Sequence, residues 1–180
     1  MQLQRKLMKK TLILSVLYLL TLTTSLLAQE VVGFWKTIDD KTGQPQSLVA
    51  IYEYQGKYYG RLLATYDNNG QIEDTIYAPK KHAPGVKGNP YYVGLDFMWD
   101  LKPTGSKFAD GHILDPQEGK IYTAEMWLKG DSLMVRGEIW VFGRNQTWPP
   151  ALDSDFPPDF KKPDLAKLIP SIPEPNDSES

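Results

Sequence analysis

The side chains able to do acid–base or metal chemistry are few and loosely spaced. His82 and His112 are the two histidines of the 180-residue chain, and cysteine is absent. Without cysteine there is no thiol nucleophile, no disulfide and no thiolate-bound zinc. His112 stands between Asp110 and Asp115, an arrangement that could offer an imidazole and two carboxylates to a metal ion. Ligands this close around a turn more commonly cap the turn, so no metal is expected. A serine–histidine–aspartate site needs a nucleophile on a strained elbow, and no Gly-x-Ser-x-Gly segment occurs. Glu125 and Glu138 offer a carboxylate pair, but the strand register expected below spends Glu125 on Arg136. No phosphate-cradling glycine loop or dinucleotide fingerprint is present. A hydrolase or isomerase is therefore the least favoured reading, and no catalytic residue or cofactor is expected.

Charge narrows the partners. Four of the 20 basic residues, Arg5, Lys6, Lys9 and Lys10, lie within the first 28 residues, which hold no acid. The remainder carries 16 basic against 22 acidic residues, a net charge of −6. Nucleic-acid affinity rests on clustered cations, so no nucleic-acid partner is expected. The same first residues have the layout of a secretory signal: a basic start, an uncharged apolar run from Thr11 to Leu27, and Ala28 before polar Gln29-Glu30. Residues 1–28 are expected to be cleaved and the protein exported to the periplasm or beyond. With no cysteine to acylate, no stable membrane anchor is expected after cleavage.

The chemistry, whatever it is, must be positioned by strands. Ser47 to Tyr54 and Lys57 to Tyr66 flank Gln55-Gly56, the spacing of a two-residue hairpin, which pairs Tyr52 with Tyr59 and Val49 with Leu62. Lys120 to Leu128 and Leu133 to Phe142 flank a turn at Gly130-Asp131. In that register Tyr122, Ala124, Met126 and Leu128 face Ile139, Gly137, Val135 and Leu133 on one apolar side. Glu125 meets Arg136 on the other side. Ala78 to Pro90, with three prolines and two glycines, reads as a long surface loop. No helical stripe occurs between Val31 and Trp148, and several short strands with frequent turns suggest an all-β antiparallel barrel or sandwich over 29–148. Residues 149–180 hold eight prolines and seven acids and are expected to form a disordered acidic tail.

Gly33-Phe34-Trp35 has the Gly-x-Trp form of the first strand of lipocalin-like barrels. In those barrels the tryptophan closes the floor, often beneath an arginine of the last strand, so Arg144 is the expected cation–π cap of Trp35. The segment from Gly111 to Tyr122, with Trp99, Val135-Arg136-Gly137 and the closing Gly143-Arg144-Asn145-Gln146-Thr147-Trp148, resembles the bacterial domain of unknown function 2147 family from about Val32 to Trp148. The sequence departs from that pattern where family members often carry Gly-Gly in place of Asp110-Gly111. The resemblance implies an exported bacterial barrel and brings no established activity.

These features favour a module that binds a small apolar or amphipathic molecule, with Tyr122, Met126, Val135 and Ile139 facing the ligand. The alternative is a solidly packed envelope protein whose tail, or whose Ala78–Pro90 loop, engages a protein partner.

Overall fold

A computed structural model describes residues 31–176, apart from residues 140 and 141 and the side chains of 138–143. The expected leader and its cleavage point lie outside the described residues, as do the last four positions of the expected tail.

Nine strands form one antiparallel sheet: β1 (Gly33–Ile38), β2 (Pro45–Tyr54), β3 (Lys57–Tyr66), β4 (Ile72–Thr75), β5 (Asp96–Thr104), β6 (Lys107–Asp115), β7 (Lys120–Lys129), β8 (Ser132–Ile139) and β9 (Phe142–Trp148). Their order is β1-β2-β3-β5-β6-β7-β8-β9, with β4 paired to β3 beside its end. The sheet curls into an all-β barrel, and the seam is made by the chain just beyond β9. Lys36 N–H donates to the Pro149 carbonyl at 3.0 Å, Ala151 N–H donates to the Phe34 carbonyl at 2.9 Å, and Pro150 stands opposite Trp35. Pro150 has no N–H to give, and at this position in the bridge none is needed. Joining the two end strands leaves no long open edge.

Both expected hairpins form in the expected register. Tyr52 opposes Tyr59 and Val49 opposes Leu62. Gln55 and Gly56 both take positive φ, 53° and 78°, as a turn matched to the right-handed twist of the strands requires. Leu128 opposes Leu133, Met126 opposes Val135 and Ala124 opposes Gly137, with Glu125 across from Arg136. The inward residues Met126 and Val135 are buried.

Two segments depart from the reading of composition. The Ala78–Pro90 stretch does not stand free, because Ala83 and Val86 are fully buried against the outer face of the barrel with Tyr52, Tyr59 and Trp99. Residues 149–176 do not dangle as a tail; they run as an extended strap across the same side. Phe156 is buried there and packs edge-on to Phe34 with ring centroids 5.8 Å apart, beside Leu48, Ala50 and Leu63. Two single turns, Asp153–Asp155 and Leu165–Lys167, are its regular structure. Prolines forbid a helix here but favour the extended backbone that a strap lying on a sheet uses. Composition pointed to disorder and missed the docking, which depends on rings at Phe156 and Phe160 meeting an apolar outer wall.

Candidate functional site

The barrel interior is filled at one end and open at the other. Toward the β7–β8 turn, Tyr58, Leu101, Phe108, Met126 and Leu133 are all buried, and the Tyr58 and Phe108 rings lie 4.5 Å apart. Toward the β6–β7 turn, the wall lines a cavity of about 850 Å³ that opens to solvent. Its apolar wall includes Leu62, Phe97, Val135 and Trp148, with Tyr122 beside them. Phe97 and Trp148 face each other at 6.3 Å.

Most polar groups of the wall are already satisfied. Thr37 and Ser47 share a buried hydroxyl–hydroxyl hydrogen bond of 2.7 Å, and Trp148 Nε1 donates to Gln146 Oε1 at 3.0 Å. Asp115 caps its own turn, accepting from the N–H groups of Gln117 and Glu118 at 2.8 and 3.1 Å, and Glu118 pairs with Lys120 at 2.8 Å. Arg144 is the one cation among the described lining residues. It is exposed, and no ion pair to it is present among the described residues.

The structure divides the expected ligand-facing set. Tyr122 and Val135 line the cavity. Met126 is inward but sits in the filled end, opposite Phe108 and Val135, and contributes to the core instead of the wall. The side chain of Ile139 lies outside the described residues. The expected Trp35–Arg144 cap is replaced by a different arrangement. Trp35 Nε1 donates to the Val31 carbonyl at 2.9 Å, and Arg144 faces the cavity. The cation–π contacts among the described residues are made by Arg61, Lys107 and Lys162. Sequence reasoning missed Leu62, Phe97 and Trp148 as wall residues. Their signal was weak, because an inward apolar residue reads the same whether it meets a neighbour or empty space.

The histidines stand apart from the cavity. His82 Nδ1 lies 2.7 Å from the Asn89 carbonyl and its ring packs on Tyr91, while His112 packs beside Trp99. Asp110, on the left-handed side at φ 59°, occupies a position where glycine is sterically easier.

A second polar cluster lies on the outer wall, under the strap. Asp96 is fully buried. Arg61 grips it with two bonds, Nη2 to Oδ2 at 2.6 Å and Nε to Oδ1 at 2.8 Å. Tyr52 donates its hydroxyl to Asp96 Oδ1 at 2.8 Å, and the Ser171 N–H donates to Oδ2 at 2.7 Å. Arg61 Nη2 also donates to the Ile169 carbonyl at 2.8 Å. Burial pushes the Tyr52 phenol up, and the Asp96 carboxylate pushes it further. Burial works against the Arg61 charge, yet the hydrogen bond and charge of Asp96 outweigh it and hold the guanidinium above its ordinary value. Both carboxylate oxygens are occupied, so the cluster fastens chain to chain and has no free group for chemistry.

Comparison with known proteins agrees with this architecture. Residues 33–149 match the family model described as "Uncharacterized protein conserved in bacteria (DUF2147)". No curated protein sequence matches the chain. Among solved structures, a protein from the human pathogen Helicobacter pylori, described as belonging to the lipocalin family, superposes with a TM-score of 0.54 at 18% identity, covering 69% of this chain and 85% of that one. At that identity the likeness is one of fold.

Proposed function

The chain belongs to the DUF2147 family, and on that footing we propose that it is a binding module whose lipocalin-like barrel takes up one amphipathic small molecule. The observation that carries the reading is the cavity of about 850 Å³, within the roughly 300–1,000 Å³ of small-molecule sites. Leu62, Phe97, Val135 and Trp148 offer an apolar wall for a hydrocarbon chain, which gains about 25 cal/mol for each Å² taken out of water. Arg144 lies on the same cavity with no carboxylate partner among the described residues, so an acidic head group suits it. The likeness to a protein described as a lipocalin supports a carrier over a catalyst.

The test is a displacement titration with a fluorescent long-chain fatty acid, run beside native mass spectrometry of the purified protein. Saturable uptake is expected, with Arg144→Glu weakening it about tenfold, or about 1.4 kcal/mol. A protein that is empty by mass spectrometry and inert to the probe overturns the reading. The same reading places the module outside the cytoplasm, supported by the basic, apolar and small-residue order of the first 28 residues. N-terminal sequencing of protein recovered from its native host is expected to begin at Gln29, and an intact Met1 in that material overturns the placement.

A further inference from the structure

We propose that the C-terminal segment is a strap that sets access to the cavity, by holding the 83–89 loop against the β6–β7 turn at the cavity rim. The proposal rests on the cavity reading and adds a means of regulating it.

Besides the Phe156 docking, the strap is fixed at three successive places. At the seam it completes the barrel through Pro149 and Ala151. At the middle, Ile169 and Ser171 are held by the buried Arg61–Asp96 pair. At the far end it grips the loop. Lys87 N–H donates to the Glu174 carbonyl at 2.8 Å, Asn176 N–H donates to the Gly85 carbonyl at 2.9 Å, and the Asn176 amide donates to the Pro84 carbonyl at 2.6 Å. Val86 and Pro175 stand opposite each other as in a strand pair.

The gripped loop is in turn wedged against the rim. Gly85 N–H donates to the Pro116 carbonyl at 3.0 Å. A Cβ on Gly85 would fall 2.2 Å from the backbone nitrogen of Gly119, so loop and turn meet backbone to backbone. Pro116, Gln117 and Glu118 of that turn line the cavity, as does Tyr92 just past the loop. The chain of contact therefore runs from strap end to loop, from loop to turn, and from turn to cavity wall. The strap end is anchored to this loop by three hydrogen bonds and an exposed Lys87–Glu174 pair. An anchorage of that size can open without unfolding the barrel, and its release frees a turn that lines the cavity.

Two variants separate this role from general support. One chain ends at Leu168. The other is full length with Asn176→Pro, which removes both Asn176 donors while leaving the Asp96 clamp in place. Hydrogen exchange read by mass spectrometry is expected to accelerate about tenfold across residues 115–119 in both, with the β7–β8 hairpin unchanged. The association rate of a fluorescent fatty acid is expected to rise about fivefold in both. An unaltered turn, or exchange that rises equally in the β7–β8 hairpin, overturns the strap's hold on the rim. Equal probe entry in parent and variants overturns the gating while leaving the cavity reading intact. A probe that enters none of the three proteins overturns the cavity reading and the gating with it, and the exchange measurement then decides the mechanical coupling alone.

Discussion

The barrel wall has two kinds of half. From β1 to β3 it is covered on both faces: the six consecutive residues from Ser47 to Tyr52 are all buried, because the strap and the 83–95 region lie over their outer side. From β7 to β8 it is covered on one face only, and burial alternates, with Ala124 and Met126 inside and Thr123 and Lys129 in water. A two-sided strand reads as a continuous apolar run, a one-sided strand as alternation. The difference teaches that the apolar run of β2 was itself a record of a covering segment, although nothing in the run says which segment supplies the cover.

The comparison predicts where substitutions hurt most. Asp96→Ala, in the covered half, leaves Arg61, the Tyr52 hydroxyl and the Ser171 N–H without their buried acceptor. It is expected to cost about 3–5 kcal/mol in urea unfolding, and a loss near that of an exposed pair would break the distinction between the halves. Met126→Ala, inside the one-sided half, is expected to cost about 3 kcal/mol. Met134→Ala, on the outer face of that half, is expected to cost less than about 1 kcal/mol. Equal costs at the two methionines would mean that the hairpin's outer face is covered after all. Phe156→Ala is expected to cost about 2 kcal/mol, and limited proteolysis should then cut the strap before the barrel.

Alkaline titration sharpens the contrast. Burial, then the charge and hydrogen bond of Asp100, pushes the Tyr59 phenol up to about 12, and burial, then the Asp155 charge, pushes Tyr66 up to about 12. Both phenols are held neutral in the fold and ionise near 10 when it is lost. Their contribution to stability is therefore whole below pH 10 and disappears as pH climbs through about 12. Tyrosinate absorbance should show Tyr66 released early in the Phe156→Ala variant, which uncovers its ring, and unchanged titration there would detach Tyr66 from strap docking. The smallest effect is expected at the exposed Lys107–Glu125 pair, 3.2 Å apart, where Glu125→Gln should change stability by less than about 0.5 kcal/mol.

Much of the fold and part of the site were legible beforehand. The Gln55-Gly56 and Gly130-Asp131 turns fixed two hairpins because a two-residue loop leaves one register open to each, and that register sent Tyr122 and Val135 inward. Met126 shared their parity yet ended in the filled part of the interior, since parity tells a strand's face and not its depth. Trp35 and Arg144 were expected to stack on the strength of the Gly-x-Trp opening. In the fold the indole N–H donates to the Val31 carbonyl and Arg144 lines the cavity, placements that spacing along the chain does not record.

By itself the sequence determined what depends on near neighbours along the chain: strand period, the place of the turns, hairpin register and the absence of thiol chemistry. The tertiary structure alone decided which surfaces meet: Pro149–Ala151 sealing β1, Asp96 receiving Ser171, and the strap lying on β2 and β3. Such contacts join residues far apart along the chain, Lys36 and Asp155 at 119 positions among them. Each depends on shape and burial that exist only once the barrel has closed, and local chemistry carries no record of that geometry.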